Sequence, residues 1–470
     1  MINRHARRFH SRTAQIRQLS VTVKDCLTHL TQKNLTQTEK DVSVQGWIRS
    51  FRKGKNISFL VVNDGSTHES LQAVIRGPQI NIEGLSFGTS VRVSGRLLYS
   101  IKGTQAVELD TSTVNVIGPA SHDYPLQKKY TSAEHLRFNA HLRPRTQFNS
   151  SLLRIQSYML HTLSSFFQTK NAIQVLPPVM TSSDCEGAGE TFQISKSEDF
   201  FGMKTNLIVS SQLHLEALAM GVGKVWTLVP TFRAERSTTA RHLAEFRMLE
   251  AELCFTNSLH DVMDITESLI RNLTQGIIQH PDLQFIRSLN AENIEQDVDM
   301  QARWDSILGT PWTRIRFSEA VRILETAGAS EDFVFSPSMD SGLQAEHEKF
   351  LAKYFNGPVF VTNYPAVQKP FYMLPAEDGT VECFDLLVPS MGELCGGSLR
   401  DDNLDSLLHK MRIAGMNEGD LTWYTDLRRY GSVPHGGFGL GWERLVGYLC
   451  GVNNVREIAA FPRWVNHCVG

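Results

Sequence analysis

Between residues 225 and 255 the chain changes period twice, and few folds accommodate that change. The run at 225–232 (VWTLVPTF) is β-branched and aromatic, and 246–255 alternates apolar with polar side chains as a half-buried strand does. The pattern predicts an antiparallel pair. The connection at 235–241 (ERSTTAR) is too polar and too rich in small residues to be core, so it forms a solvent-reaching loop flanked by Arg233, Glu235, Arg241 and His242. A planar guanidinium on a rigid strand, with further cationic donors a few residues on, suits a polyphosphate better than a single carboxylate. Taken alone, the stretch reads equally as a charged hairpin on a solvated face.

A second stretch, 434–445 (PHGGFGLGWERL), reads as a glycine-rich turn leading into a helix that carries Arg444. Glycines let a ligand approach the backbone closely, and an arginine there reaches a phosphate or stacks on a base. With both stretches in hand, the chain resembles the class II aminoacyl-tRNA synthetases, in the subgroup of aspartyl, asparaginyl and lysyl enzymes. Phe232-Arg233-Ala234-Glu235 is similar to their motif 2, and Gly439-Leu440-Gly441-Trp442-Glu443-Arg444 to their motif 3. Their motif 1, a long helix and a strand ending in proline, is matched by 148–180, with Pro178 in QVLPPVM. The resemblance covers nearly all of the chain after its first forty residues. It implies an α+β protein whose catalytic domain is an antiparallel sheet flanked by helices, ATP and Mg2+ as cofactors, and a homodimer that meets through the motif 1 helix. That helix shows a stripe of apolar residues at 148, 152, 155, 159, 160, 163, 166 and 167.

Ahead of this, five short strand-like runs between 42 and 116, each bounded by Gly, Asn, Asp or Ser, predict a small closed barrel of the OB-fold type. Such barrels stack single-stranded bases on aromatic side chains in a basic groove, and this one offers Arg49, Phe51, Arg52, Lys53, Lys55 and Phe59. The same aromatics serve equally well as barrel core. The run at 46–66 resembles the anticodon-binding barrel of the same subgroup, which implies that Phe59 stacks on the middle anticodon base and Gln72 reads its edge. The expected organisation is a leader at 1–24, an OB-fold at 40–118, a linker at 119–135 and a catalytic domain at 136–470. The leader holds Arg4, Arg7, Arg8, Arg12, Arg17 and Lys24 with no acidic residue before Asp25, the composition of a mitochondrial transit peptide; a basic arm that holds tRNA is the alternative. A net charge of −2 gives no global attraction to nucleic acid, so RNA binding must come from local patches. No apolar run approaches the roughly 20 residues of a membrane span. The seven cysteines lack zinc-like spacing and read as reduced thiols.

For the matching positions the resemblance implies roles. Arg233 holds the α-phosphate of ATP, Arg241 and His242 the outer phosphates, and Phe246 and Arg444 sandwich the adenine, with Glu235 and Gly441 beside them. Arg233, Glu393 and Arg444 carry the catalysis. Asp385 and Glu393 meet the Mg2+, which prefers a few carboxylates, phosphate oxygens and water. The amino acid is held by Glu186, Gln212, Glu250 and Arg400. Glu346, His347 and Glu348 read as a solvated helix face. A carboxamide presents one acceptor and one NH2 donor, so it wants one cation and one acceptor, whereas a carboxylate wants cations only. Arg400 with Glu250 meets the first demand, and Leu215 stands where aspartyl enzymes carry a lysine. The wording of both motifs resembles the asparaginyl branch, implying asparagine and tRNA(Asn) as substrates. An aspartyl or non-discriminating enzyme of the same fold is the nearest alternative, and a non-catalytic RNA-binding relative the more distant one. Arg236 departs from the asparagine common in asparaginyl enzymes, which puts the loop's contact with the acceptor end in doubt.

Overall fold

The computed structural model describes residues 21–29, 40–100, 105–129, 131–182, 191–289, 293–309, 311–328 and 331–470. They fall into two compact units, Met1–Thr131 and Ser132–Gly470.

In the first unit, β1 (Lys40–Arg52), β2 (Ile57–Asn63), β3 (Leu71–Arg76), β4 (Ser90–Tyr99) and β5 (Val107–Gly118) close into a barrel in the order β1-β2-β3-β5-β4. Strict alternation sends Leu60, Val62, Leu71, Ala73, Val91 and Val93 inward. Closure needs a bend where β4 meets β5, and a register shift falls between Ser94 and Gly95. A Cβ on Gly95 would lie 2.1 Å from the Asp110 carbonyl, so only glycine fits there. The helix Val23–His29 buries Val23 and Cys26 in the barrel core, and the Val23 amide donates to Asp64 at 2.9 Å. The barrel fold therefore starts inside the expected 1–24 leader. The expected linker is also mostly part of this unit, since Leu126 is buried and Tyr124 lies 6.0 Å from the Phe87 ring. The second unit opens at the helix Ala133–Phe138, capped by the Ser132 hydroxyl, rather than at 136.

The second unit is built on a sheet of eight strands. Beyond β6 (Ile173–Gln174), the short strands β7 (Met180–Thr181) and β8 (Asn206–Leu207) pair apart from it. The rest are β9 (Lys224–Phe232), β10 (Glu245–Cys254), β11 (Thr313–Arg316), β12 (Val359–Thr362), β13 (Cys383–Val388), β14 (Gly392–Leu399) and β15 (His435–Gly441), ordered β11-β12-β13-β14-β15-β10-β9-β6. The middle is antiparallel as expected, but both edge pairs, β11 with β12 and β6 with β9, are parallel. Each edge pair is joined by a helical crossover, the connection a parallel pair needs. The glycine run expected to be a turn is the strand β15, lying between β14 and β10.

Period 2 along β10 divides the sheet's two faces. Leu249 and Ala251 enter the core with the helices Gln147–Thr169 and Leu259–Ile277, while Met248, Glu250 and Glu252 point into the opposite cleft. Of the helical stripe, Leu152, Ile155, Met159, Leu163, Phe166 and Phe167 pack in that core, but Leu160 is 43% exposed. Among the described residues no helix is long and apolar enough to cross a membrane, and no cysteine is in a disulfide.

Candidate active site

The cleft beneath β10, β14 and β15 has a volume of about 380 Å3. Gly396, Gly397, Gly439 and Gly441 line it, and close packing along β14 and β15 leaves no room for larger residues at Gly397 and Gly437. A Cβ on Gly437 would lie 2.1 Å from Glu252 Oε2, and one on Gly397 would lie 2.5 Å from Phe384 Cζ. The cleft brings together Gln212, Arg233, Glu235, Arg241, His242, Phe246 and Glu250 with Asp385, Glu393, Arg400, Gly441 and Arg444. Every residue expected in the site is there except Glu186, which lies outside the described residues.

At one end cationic groups converge. Arg233 directly follows β9, 3.8 Å from Glu235, with its guanidinium 5.8 Å from the Phe246 ring centre. The Arg444 side chain folds back over Gly441, whose Cβ would be 3.6 Å from it. Burial lowers the Arg444 pKa, Glu393 opposes the shift, and the charges on Arg241 and Arg233 add to it. Arg241 Nε is buried with no hydrogen-bond partner among the described residues. Crowded guanidiniums repel one another in a partly dry site, and a polyanion relieves that repulsion. His242 Nδ1 lies 2.6 Å from the Thr239 hydroxyl and 3.0 Å from that of Ser237. Burial, then Arg444, lower its pKa from 6.5 against the pull of Glu235. That shift favours the uncharged imidazole, and the two hydroxyls hold the ring at Nδ1.

The acids expected to meet a metal flank one glycine. A Cβ on Gly396 would lie 3.5 Å from Asp385 Oδ1 and 3.8 Å from Glu393 Oε1. Asp385 is also partnered, because Lys369 Nζ donates to it at 2.7 Å. A hard cation prefers a few carboxylates, phosphate oxygens and water, and both Glu393 and Asp385, the latter steadied by the lysine, are placed at the cleft to serve as such carboxylates. The expected solvated face is not one. His347 is buried with Nε2 donating to the Phe335 carbonyl, Glu346 accepts from the Val334 and Phe335 amides, and Glu348 accepts from the Glu393 amide at 3.0 Å.

The other end is a buried ion-pair network. Arg400 donates Nε to Glu252 Oε1 at 3.2 Å, Nη2 to Glu252 Oε2 at 2.9 Å, and Nη1 to the Ser398 hydroxyl at 2.6 Å. Glu250 instead accepts from the Ser210 hydroxyl and, at 2.9 Å, from the Ser211 amide at the start of the helix Gln212–Val222. Gln212 donates to Glu216 at 3.1 Å, and Glu216 also takes Arg428 at 2.6 Å, His435 at 3.0 Å and the Tyr424 hydroxyl at 2.8 Å. Burial alone would raise Glu216, but Arg428 and His435 outweigh it and hold the carboxyl well below its ordinary 4.5. Burial raises Glu252, Arg400 opposes this, and the Glu216 charge tips the balance upward. Ligand atoms of Glu216, Glu252 and His435 come within 4.8 Å of one another. With Arg400 and Arg428 on the carboxylates this is a salt-bridge cluster, not a metal centre. Leu215 lines the cleft, so its wall is apolar where a cation would have favoured a carboxylate.

Sequence reasoning missed Glu252, Glu216, Arg428, His435, Lys369 and Glu348. Glu252 was within reach, because it follows Glu250 by two residues on a strand and so shares its face. Arg428 and Glu216 are far apart in the chain, and no local pattern pairs them.

On the barrel, Phe59 is half-buried with the Arg52 guanidinium 4.9 Å over its ring, while its neighbours Leu60 and Ser58 are buried. Phe59 pairs with Val74 and Val61 with Gln72, so Phe59 and Gln72 lie diagonally on one face of the β2–β3 ribbon.

Comparison with known proteins places this geometry. Residues 133–465 match the family described as tRNA synthetases class II (D, K and N), and 42–117 match the OB-fold nucleic acid binding domain. The chain belongs to the class II tRNA synthetases of the aspartyl, lysyl and asparaginyl group. It is 42% identical over 453 residues to the mitochondrial asparagine–tRNA ligase of Saccharomyces cerevisiae, across 90% of this chain and 92% of that one. It is also 42% identical to asparaginyl-tRNA synthetase of Mus musculus over 443 residues, 91% of each chain. The asparaginyl-tRNA synthetase of Pyrococcus horikoshii, solved with asparaginyl-adenylate, superposes with a TM-score of 0.84 at 30% identity, over 96% of this chain and 99% of that one.

Proposed function

We propose that the chain is an asparagine–tRNA ligase that activates asparagine with ATP and transfers it to tRNA(Asn) in mitochondria. The observation that carries this is the amino-acid end of the cleft, where Arg400 supplies one cation and Glu250 one acceptor beside an apolar Leu215. Activation joins the asparagine carboxylate to the α-phosphate by in-line displacement, with pyrophosphate leaving. Positioning and charge neutralisation carry such a step, without a covalent protein nucleophile. Arg233 holds the α-phosphate, Arg241 and His242 take the outer phosphates, and Phe246 and Arg444 hold the adenine. Glu393, with Asp385 beside it, would hold Mg2+, which when bound neutralises phosphate charge. Phe59 and Gln72 read the anticodon. The basic amino terminus and the likeness to the yeast mitochondrial enzyme support the location. The exposed Leu153, Leu160, Ile173 and Leu176 beside the motif 1 helix support a homodimer.

ATP–pyrophosphate exchange with each of the twenty amino acids tests the reading, with asparagine alone expected to support turnover. Aspartate as the better substrate would replace it with the aspartyl alternative.

A further inference from the structure

Glu393 does not sit on a regular strand. In the pairing of β13 with β14, Leu386 faces Cys395 but Leu387 faces Glu393, so Leu394 is an extra residue, a β-bulge beside the cleft. Bulges re-aim side chains and disturb the ladder's hydrogen bonds. Here the Glu393 amide donates at 3.0 Å to Glu348 Oε2, from the helix Ala345–Tyr354, which packs on β13 and β14. The preceding residue is shaped for this contact. Gly392 has φ +87°, and a Cβ there would stand 2.6 Å from Glu348 Oε2 and 3.2 Å from Glu348 Cβ. A carboxylate so placed lies near Glu393 and Asp385, whose charges oppose it, and the Arg241 charge offsets part of that cost.

We propose that Glu348 is a positioning residue: by accepting the amide of the bulged Glu393 it aims that carboxylate at the phosphate end of the cleft. The proposal rests on the reading of Glu393 as the metal-holding residue. The role belongs to the acceptor oxygen, so glutamine, which keeps a carbonyl oxygen, substitutes for it, and methionine, of similar length with only a weakly accepting thioether, does not.

The test is Mn2+ binding to the enzyme with a non-hydrolysable ATP analogue, read by electron paramagnetic resonance, alongside pyrophosphate exchange. Glu348→Met is expected to weaken Mn2+ binding and lower kcat by about 10–100-fold, the usual effect of losing a group that orients a metal ligand. Glu348→Gln is expected to stay within about threefold of wild type, since an uncharged acceptor suffices. Gly392→Ala, which drives a methyl into the carboxylate, is expected to follow Glu348→Met, and it keeps the test open if the methionine variant does not fold. Wild-type Mn2+ affinity in Glu348→Met overturns the proposal, as does a glutamine variant as impaired as the methionine one, which would assign the effect to charge. Glu393→Gln separates the two levels: if it binds Mn2+ as wild type does, the metal reading of Glu393 is what fails.

Discussion

Arg400 and Glu252 meet as a two-pronged pair, Nε to Oε1 at 3.2 Å and Nη2 to Oε2 at 2.9 Å, with side-chain exposures of 4% and 1%. The pair fixes the guanidinium plane at the end of the cleft where the proposed function seats the amino acid. Removing one partner of a buried pair strands the other's charge, typically at about 3–5 kcal/mol, whereas replacing both with apolar residues is often nearly neutral. Glu252→Ala is expected to lower the urea midpoint of the enzyme accordingly. The double variant Glu252→Met with Arg400→Met should recover most of that stability while activating no amino acid. A single variant as stable as wild type would mean that Glu216 and its partners absorb the charge.

Glu216 gives a pH dependence with a definite sign. Its folded pKa is depressed below 4.5, so the stability it contributes is present above about pH 4.5 and is lost as pH falls, when the unfolded chain takes up the proton first. The gap in urea midpoint between wild type and Glu216→Gln should be large at pH 7 and should narrow between pH 4.5 and 3. A gap independent of pH would assign the loss to packing alone.

Arg233 is about a third exposed, so its loss should leave the fold intact. Removing a charge-assisted donor to a developing phosphate charge costs about 2.7–4 kcal/mol, or roughly 100- to 1,000-fold in kcat. Arg233→Ala should show this in pyrophosphate exchange with an unchanged melting temperature. Exchange close to wild type would remove Arg233 from the α-phosphate.

Phe59 separates binding from chemistry. Phe59→Ala should weaken tRNA charging by roughly 1–3 kcal/mol, one stacked base, and leave tRNA-independent exchange unchanged. A parallel fall in both would make the ring structural.

The hairpin, the barrel and the membership of the cleft were all legible because each rests on local chemistry: period 2 on strands, polar loops, and glycine where a backbone must come close. What escaped was set by contacts distant in sequence. The glycines at 436–441 read as a turn from composition, but pairing with β10 and β14 makes the run a strand, and crowding by Glu252 and Ser398 is why it is glycine. The Lys369 partner of Asp385 was not legible because it lies on a separate segment. Glu348 read as a surface acid because one turn of helix shows nothing of the bulge it braces.

The choice between asparagine and aspartate comes down to Glu250. It is 3% exposed and held by Ser210 and the Ser211 amide, so it stays in place as an acceptor at the cleft, where the proposed function puts the substrate side chain. Aspartate in that position sets two carboxylates against each other in a desolvated cleft, a contact costing several kcal/mol. Glu250→Gln keeps one oxygen for the Ser211 amide and gains an NH2 that donates to aspartate. Since about 1.4 kcal/mol is tenfold, the ratio of kcat/KM for asparagine over aspartate in pyrophosphate exchange should fall by about tenfold or more. If the ratio does not move, rejection of aspartate is exerted elsewhere, and Glu252, the next acid on the same strand face, becomes the residue to change.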